Sequence, residues 1–592
     1  MCGIAGILNT HRDNQSQVIE RVQRTTDLMK NRGPDAGGKH LGENFILGHR
    51  RLKIIDLSDN GKQPMVDREL NLALVFNGAI YNYQQLREQL KQEGYRFFST
   101  SDTEVLIKAY HFWGKDFVKR LNGMFAFCLV EIETGKAILA RDRLGIKPLY
   151  YSFKGMEMMF ASSLTALAKG MDIETTINPQ ALQYYMTFHS IVPPPDTIFN
   201  KIAKLPPATV MTVEPDGAIK EEKYWNLDFY TPEDKAGYTE AEWLAELDTS
   251  LKQAVQRRLV ADVPVGVLLS GGLDSSLITA LVAAEKSDGL ETFSIGFESV
   301  NGEEGNEFIY SDIIAEAFNT RHHKLMISGS EVLGSLQAAI NSMNEPMVSH
   351  DNVGFFLISK EVANHVKVVQ SGQGADEVFA GYHWYPPMQS TENAVDTYVA
   401  NFFDRSYKEY RETINSDLMW SDIAKSYVAR QFAEVRSKDP VDKALSLDIN
   451  VMLVDDPVKR VDNQTMGWGL EARVPFLDHE LVELAAQIPS KFKLAHDGKG
   501  ILKTLARKYV PAEVIDRPKG YFPIPALKYL SGSILDYVKD HLTSQKARER
   551  GLYNPSYVEN LLASPETGLT NLGGSKLWQL GLLEIWLQNH QF

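Results

Sequence analysis

The chain of 592 residues has only two cysteines, Cys2 and Cys128, so it cannot build a disulfide framework. Such sparse cysteine usage is typical of proteins kept in a reducing cytosol. No uncharged apolar run reaches roughly 18 residues, which argues against a transmembrane helix, and no signal-peptide pattern opens the chain. These absences predict a cytoplasmic protein with no membrane partner.

Positive charge is also scarce, because 62 Lys and Arg stand against 76 Asp and Glu, a formal net charge of −14. Proteins that bind DNA or tRNA need a basic footprint, so a nucleic-acid partner is not expected. The composition is otherwise ordinary for a globular protein, with 44% hydrophobic and 23% charged residues. The length is too great for one core and predicts roughly two or three domains.

The first chemically informative residue is Cys2, whose small size permits removal of the initiator methionine. Cys2 would then carry both a thiol nucleophile and a free α-amine, whose unperturbed pKa of about 7.7–8.0 suits a general base. A nucleophile and its base in one residue is the arrangement of N-terminal-nucleophile acyl transfer. The alternative is that Cys2 has no role, whereas Cys128 lies in an apolar run and is predicted to be a core residue.

Two patterns of secondary structure divide the chain. Residues 1–215 are rich in short strands with helices between them, which predicts an α/β layered domain with mostly antiparallel sheets. Proline-rich punctuation predicts a linker at 216–240. From 241 to 592 strands and helices alternate, which predicts a parallel sheet with helices on both faces.

A Gly/Ser loop, residues 270–276, joins a predicted strand to a predicted helix and reads Ser-Gly-Gly-Leu-Asp-Ser-Ser. Glycine backbone N–H groups and a helix N-terminus attract an anion at such a junction. Asp274 is out of place beside an anion unless it holds Mg²⁺ against phosphates. A second loop, residues 371–377, follows another predicted parallel strand and positions Asp376 to share that Mg²⁺. The carboxyl ends of parallel strands are where α/β sheets bind ligands, so a nucleotide site is predicted there.

The loop at 270–276 resembles the pyrophosphate loop of the ATP-pyrophosphatase superfamily, whose members activate substrates as adenylates; no Walker A lysine follows it. Residues 1–215 resemble the class II glutamine amidotransferase domain. The matching strings are Cys2-Gly3-Ile4, Arg32-Gly33-Pro34-Asp35, His49-Arg50-Arg51-Leu52, Asn77-Gly78, Ser101-Asp102-Thr103-Glu104 and Arg141-Asp142-Arg143-Leu144-Gly145. The resemblance implies that Cys2 attacks the glutamine side-chain amide. It further implies an oxyanion hole at Asn77 and Gly78, and partners for the glutamine α-carboxylate and α-amine in Arg51 and Asp102 respectively.

Together the two halves, including residues 471–478, resemble the glutamine-hydrolysing asparagine synthetase family over essentially the whole chain. That resemblance implies an Ntn-type αββα glutaminase domain followed by a parallel-sheet ATP-pyrophosphatase domain, which is like the adenine nucleotide α-hydrolases. It implies ATP and Mg²⁺ as cofactors and an ammonia tunnel between the two sites; members are often homodimers. The implied ATP-binding residues are Leu268, Ser270, Gly271, Gly272, Asp274, Ser275, Ser276, Ile295, Ser371, Gly372 and Asp376, with Asp274 and Asp376 on Mg²⁺. Lys503 is expected to assist the adenylated intermediate, and Lys519 is a further candidate cation.

Two residues depart from the asparagine synthetase pattern. Gln373 and Ala79 both stand where that family has Glu, and Gln373 loses the charge and the ability to take a proton. The strings at 77–82, 368–376, 381–387 and 452–457 resemble the N-acetylglutaminylglutamine amidotransferases, which build a terminal carboxamide for a bacterial osmoprotectant. This implies an acceptor larger and less charged than aspartate, with Gln373 acting at the catalytic site. His383 and Trp384 either line the acceptor pocket or pack beside the nucleotide loop.

The leading hypothesis is therefore an ATP-dependent ligase that adenylates an acceptor carboxylate and aminates it with glutamine-derived ammonia. Alternatives are the same chemistry on aspartate, a β-lactam-forming synthetase, a tRNA-modifying enzyme, and a catalytically silent nucleotide-binding paralogue. The complete set of glutaminase residues disfavours a β-lactam-forming synthetase, and the net negative charge disfavours a tRNA-modifying enzyme. The intact aspartates of both loops disfavour a catalytically silent paralogue. The adjacent His322 and His323 point to opposite faces of a predicted strand, so the sequence indicates no structural metal cluster.

Overall fold

The computed structural model describes residues 2–10, 15–286, 289–299, 305–517 and 524–592. The described chain contains three sheets, of which two are antiparallel and belong to the amino-terminal domain. In spatial order, the first sheet comprises β10 (Ala203–Lys204), β8 (Tyr150–Lys154), β9 (Glu157–Ala161), β1 (Gly3–Leu8), β3 (Phe45–Arg51) and β2 (Ala36–Leu41). The second comprises β12 (Ile219–Lys223), β11 (Thr209–Val213), β7 (Ala137–Arg141), β6 (Gly123–Glu131), β5 (Leu72–Ile80) and β4 (Met65–Asp67).

The two sheets pack face to face, and their inner strands, such as β1, β6 and β7, are apolar and buried along nearly their whole length because both of their faces are covered. Ile4 and Leu47 of the first sheet share one buried cluster with Val75 and Cys128 of the second. Cys128 is thus the core residue that its apolar surroundings predicted. Helices α1 (Gln15–Leu28) and α4 (Leu164–Gly170) contact the first sheet, and α2 (Tyr83–Gln92) and α3 (Asp102–Trp113) belong to the apolar layer on the second. The predicted αββα layering is confirmed.

The second antiparallel sheet extends past the predicted end of the first domain. Strand β12 pairs with β11 from Thr209↔Lys223 to Val213↔Ile219. The strand therefore lies in the stretch predicted as linker, 216–240, and only the residues after it connect the domains. The sequence did not predict this strand, because it is an exposed edge strand and lacks a run of buried apolar residues.

The carboxy-terminal domain is built on a parallel sheet, as predicted. Its strands, in spatial order, are β15 (Arg321–Ile327), β14 (Glu291–Phe297), β13 (Val265–Leu268), β16 (Val368–Gln370) and β17 (Glu471–Arg473). All of its strand pairs are parallel, so the ligand-binding carboxyl ends of the strands share one edge.

Helices surround this sheet and fill the rest of the chain. The remaining helices are α5 (Pro179–Thr187), α6 (Glu240–Arg257), α7 (Leu273–Glu285), α8 (Phe308–Ala317), α9 (Gly329–Asn341), α10 (Asp351–Val362), α11 (Ala375–Val378), α12 (Ala394–Phe402), α13 (Tyr407–Thr413), α14 (Ile423–Glu434), α15 (Pro440–Leu447), α16 (Lys459–Met466), α17 (His479–Gln487), α18 (Ser490–Leu494), α19 (Gly500–Ala506), α20 (Ala512–Ile515), α21 (Pro525–Lys528), α22 (Gly532–Leu542), α23 (Gln545–Arg550), α24 (Pro555–Ala563) and α25 (Lys576–His590). Within the described ranges, none of these helices is both long and apolar enough to cross a membrane.

Buried charges lie where the two domains meet. Asp462 of α16 is 2.9 Å from the guanidinium of Arg32 and 3.3 Å from the ammonium of Lys147, and all three side chains are buried. Burial alone would raise the pKa of Asp462, but these cations lower it below its usual value. Asp455 pairs in the same way with Lys204 at 2.7 Å. The domains are thus joined by ion pairs whose partners come from both sides.

These carboxylates are presented by an irregular stretch of helix. Asp448–Met452 and Val454–Val458 form wide π-helical turns that lead from α15 into α16. Such turns are uncommon and often occur at functional sites, because they redirect the side chains around them. Here they bring Asp455 to the partner domain.

We expect Asp462→Ala to destabilise the protein by roughly 3–5 kcal/mol, because Arg32 and Lys147 would stay buried without their partner. Thermal unfolding followed by circular dichroism measures the fall in Tm. The matched control is Asp116→Ala, which removes an exposed pair with Lys119 and should leave the Tm nearly unchanged. Equal Tm values for the two variants would show that the buried pair is not what joins the domains.

Candidate active sites

The predicted nucleophile lies at the entry to the first sheet. Cys2 is buried directly before β1, and its backbone N–H donates a hydrogen bond to the side-chain oxygen of Asn77 at 3.0 Å. The Asn77 side-chain nitrogen is also buried and meets no hydrogen-bond partner among the described residues. A buried donor in this state beside a thiol is suited to an oxyanion. Burial raises the pKa of the Cys2 thiol, so the thiol needs a base to ionise it.

Gly78 stands next to Asn77 on β5, where a larger residue does not fit. A Cβ at this position would lie 2.1 Å from the backbone oxygen of Met124 on the neighbouring strand β6. The close approach of the two strands therefore requires glycine, and it keeps the backbone beside Asn77 open to a ligand.

Groups suited to the charged end of an amino acid lie in the same cavity as Cys2. The Arg51 guanidinium is held by the backbone oxygens of Ser58, at 2.9 Å, and Asp56. Asp102, at the start of α3, accepts the backbone N–H of Ile80 at 3.1 Å, and burial raises its pKa to about 6. The cavity of about 370 Å³ is lined by Cys2, Arg51, Leu52, Ile54, Ile55, Gly61, Gln63, Phe76, Gly78, Ala79, Ser101, Asp102, Thr103 and Glu471.

Glu471 in that lining comes from the other domain, and sequence reasoning missed it. Its carboxylate accepts the Nε–H of Arg473 at 2.6 Å. Burial opposes ionisation of Glu471, but the positive charge of the N-terminal amine, followed by Arg473 and Lys147, outweighs it and lowers the pKa to about 2. The string 471–478 contributed to the family resemblance, yet nothing local in it points to the cavity around Cys2. Strand β17 therefore brings a permanent negative charge beside Cys2.

A second cavity, of about 800 Å³, opens at the carboxyl ends of β13, β14 and β16. It is lined by Leu268, Leu269, Ser270, Gly272, Asp274, Ser275, Phe293, Ser294, Ile295, Asp351, Phe355, Ile358, Ser371, Gly372, Gln373, Gly374, Asp376 and Glu377. Both predicted loops thus contribute, and one end of the cavity is the N-terminus of α7.

The two loops meet closely at the bottom of this cavity. A Cβ on Gly372 would lie 3.0 Å from the Cβ of Asp274, so glycine is what allows the second loop to approach the first. Within the first loop, the hydroxyls of Ser270 and Ser275 are 3.0 Å apart, and the Gly272 N–H donates to Ser270. The loop is therefore held in shape by its own serines.

Lys499 joins the two carboxylates that were predicted to hold Mg²⁺. Its ammonium lies 2.6 Å from Asp274 and 2.9 Å from Asp376. Burial alone would lower its pKa, but the two aspartates raise the value above that of an ordinary lysine. Carboxylate oxygens brought together at a phosphate loop fit the hard-oxygen preference of Mg²⁺, so the residues fit the ion.

Several residues that were predicted for the nucleotide site are not among those that line this cavity. The ammonium of Lys503 donates a hydrogen bond to the backbone oxygen of His496, and Lys503 does not line the cavity. Gly271 and Ser276 belong to the loop but not to the lining, and Lys519 lies outside the described residues. Lys499 is four positions before Lys503, and no sequence pattern distinguished the two lysines.

The aromatic residues after the second loop lie next to the cavity rather than in it. Trp384 is buried, donates its indole N–H to Asp448 at 2.9 Å and stacks on Tyr382 at 4.1 Å. His383 is exposed and meets Trp384 edge-on. The structure thus favours packing for Trp384 over contact with an acceptor.

One end of the cavity carries carboxyl groups of altered acidity. Burial and the neighbouring charge of Asp376 raise the pKa of Glu377 to about 7. The Tyr382 hydroxyl donates to Glu377 at 2.9 Å. Burial also raises the pKa of Asp351 to about 6. Carboxyl groups of this kind are partly protonated near neutrality, so they donate as well as accept hydrogen bonds.

Comparisons with known proteins match both domains. A family described as asparagine synthase matches residues 246–588, and a glutamine amidotransferase domain family matches residues 1–225. Asparagine synthetase [glutamine-hydrolyzing] 1 of Bacillus subtilis is 31% identical over 99% of this chain and 96% of its own length. Asparagine synthetase [glutamine-hydrolyzing] 3 of Arabidopsis thaliana is 30% identical over 94% of this chain and 84% of its own. Among solved structures, a glutamine phosphoribosylpyrophosphate amidotransferase from B. subtilis aligns with 63% of this chain and 81% of its own, with a TM-score of 0.30 and 15% identity.

We expect glutamine binding to weaken as the pH falls through about 6, because Asp102 is protonated below that value and no longer pairs with an ammonium. The measurement is the glutamine Kd by isothermal titration at pH 5 to 8, using Cys2→Ala so that no hydrolysis occurs.

Asp102→Asn in the same background is the control for this prediction. It should bind glutamine weakly at every pH and lack the change near pH 6. If the pH dependence survives in the Asp102→Asn variant, another group is responsible for it.

Proposed function

The chain belongs to the glutamine-hydrolysing asparagine synthetase family, and from that premise we propose that it converts the terminal carboxylate of N-acetylglutaminylglutamine into a carboxamide. The family establishes the general activity, an ATP-dependent ligase that takes nitrogen from glutamine. The acceptor is the part we propose. It rests above all on Gln373, which lines the nucleotide cavity where asparagine synthetases have a glutamate.

We assign glutamine hydrolysis to the cavity around Cys2. With Met1 removed, the α-amine of Cys2 takes the thiol proton, and the thiolate attacks the side-chain amide of glutamine. Asn77 and the backbone of Gly78 donate to the oxyanion, and one such donor is typically worth about 10²–10³ in rate. Arg51 and Asp102 bind the α-carboxylate and α-ammonium. Ammonia leaves, and water then hydrolyses the thioester to glutamate.

We assign adenylation to the cavity formed by the two loops. The acceptor carboxylate attacks the α-phosphorus of ATP, and pyrophosphate leaves toward the N-terminus of α7. Asp274 and Asp376 would hold Mg²⁺, which when bound neutralises the phosphate charge. Lys499 holds these carboxylates together. Ammonia then attacks the acyl carbon and AMP departs.

Strand β17 contacts both of the places to which we assign the two reactions. Glu471 lines the glutaminase cavity, while the backbone oxygen of Arg473, two residues on, accepts the N–H of Ser371 at the nucleotide loop. Ammonia formed at Cys2 therefore has a short route past this strand to the acyl-adenylate, as the family resemblance implies.

The charge of the cavity supports an acceptor with one carboxylate. Its described lining contains Asp274, Asp351, Asp376 and Glu377 but neither Lys nor Arg. Aspartate would bring a second carboxylate, and Lys499 beside this lining is already paired with Asp274 and Asp376. The N-acetylated dipeptide carries no charge besides the carboxylate that is adenylated. Its amide oxygens suit a protonated Glu377 as hydrogen-bond donor.

Aspartate is the second candidate acceptor, and two observations favour it. The curated relatives that cover nearly the whole chain carry the name asparagine synthetase. An ionised Asp351 or Glu377 would also suit the α-ammonium of aspartate.

Pyrophosphate release with ATP, Mg²⁺ and glutamine separates the two acceptors. We expect release with N-acetylglutaminylglutamine and at most background release with aspartate, with the carboxamide product identified by mass spectrometry. Release with aspartate, together with asparagine formation, would show that the proposed acceptor is wrong. The control is Cys2→Ala, which should work with added ammonium salt but not with glutamine, because only the glutaminase step is removed.

We expect Gln373→Glu to lower kcat/KM for the dipeptide by roughly tenfold or more, equivalent to about 1.4 kcal/mol. The reason is the added charge, since the cavity lining already holds carboxylates and lacks a lysine or arginine among its described members. Glutaminase activity without acceptor should not change. The matched variant Gln373→Met removes the hydrogen bond without adding charge and should be less impaired; equal activity of all three proteins would exclude a role for this residue.

A further inference from the structure

A cluster of histidine and glutamate lies outside both cavities. Glu291 stands at the start of β14, His323 on the adjacent strand β15, and His365 just before β16. One carboxylate oxygen of Glu291 and one ring nitrogen from each histidine all lie within 4.8 Å of one another. The sequence indicated no such cluster, because its members are separated by about 30 and 40 residues and meet only through the parallel sheet.

The geometry of the cluster resembles a metal site before the ion enters. His323 meets the Glu291 carboxylate at 2.7 Å, and the rings of His323 and His365 lie 4.3 Å apart. Tetrahedral Zn²⁺ with bonds of about 2.0–2.1 Å needs ligand atoms roughly 3.3 Å apart. Small side-chain rotations bring ligand atoms within 4.8 Å to that spacing.

The surroundings supply what a metal-binding histidine requires. The carboxylate of Glu361, on α10, lies 3.2 Å from His365 and can fix the orientation of its ring. The ring of Phe293 stacks on His323 at 4.9 Å and so limits its rotation. The cluster is partly exposed, with about a third of each histidine side chain accessible, so an ion reaches it from solvent.

We propose that Glu291, His323 and His365 bind a divalent transition-metal ion of the Zn²⁺ type, with Glu361 orienting His365. Two imidazoles and one carboxylate select such an ion over Mg²⁺, which prefers oxygen ligands. The site is separate from the residues that would hold Mg²⁺ at the nucleotide loops, and it does not depend on the identity of the acceptor.

The test is Zn²⁺ binding by equilibrium dialysis to chelator-treated protein without nucleotide. Cys2→Ala serves as the parent protein, because the thiol of Cys2 would otherwise compete for zinc. We expect one Zn²⁺ per chain. His323→Ala or His365→Ala should lower the affinity at least about 100-fold, and Glu361→Gln should lower it about 10-fold. Co²⁺ at the same site should give visible absorption bands that disappear in both histidine variants.

The matched control is His111→Ala, which removes an exposed histidine far from the cluster in sequence and should leave zinc affinity unchanged. Thermal unfolding of each variant checks that the fold survives, and Glu291→Gln provides a substitution with no change of size. Zinc affinity that is the same in the parent, His323→Ala, His365→Ala and Glu291→Gln proteins would overturn the proposal. The cluster would then be a hydrogen-bonded pair and a neighbouring imidazole only.

Discussion

The buried ion pair between Glu471 and Arg473 is the interaction on which both cavities depend. A charge out of water is tolerated only where a partner and further hydrogen bonds replace its hydration. Here Arg473 donates to Glu471 and to the backbone oxygens of Arg258 and Val260. Its guanidinium also lies over the ring of Tyr81 from the first domain. Strand β17 is therefore fixed in place, and with it both Glu471 in the cavity around Cys2 and the backbone oxygen of Arg473 that accepts the N–H of Ser371 at the second loop.

The same constraint explains why the domains meet through charges. Asp462 is paired with Arg32 and Lys147, and Asp455 with Lys204, so these two acids of the second domain lie against bases of the first. An ionic junction of this kind is directional, because it satisfies its hydrogen bonds in one relative placement only. Such a junction suits the proposed passage of ammonia between the two sites, since a loose interface would let water in and ammonia out.

If the acceptor is the one proposed, little in the nucleotide cavity has to change for it. Both loops contribute glycines that allow their close approach, and Lys499 joins their two aspartates. Of the two departures from the asparagine synthetase pattern, Gln373 lines this cavity together with Glu377, whose pKa is raised to about 7 by burial and by the charge of Asp376. Within a family of common chemistry, specificity then follows from a few side chains beside an unchanged reaction centre.

Local patterns in the sequence predicted much of this protein. Short strands separated by helices predicted the antiparallel sheets, and the regular alternation of strands and helices predicted the parallel sheet. Glycine loops predicted the nucleotide site, and the strings around Cys2 and Asn77 indicated the family. They did so because periodicity and glycine freedom act over a few residues. Only the tertiary structure decided that Glu471 reaches the cavity of Cys2 and that Lys499, rather than Lys503, joins the two aspartates. It alone also brought His323 beside His365. Such contacts join residues far apart in the chain, or choose between similar neighbours, and they are set by how strands and helices pack rather than by any local pattern.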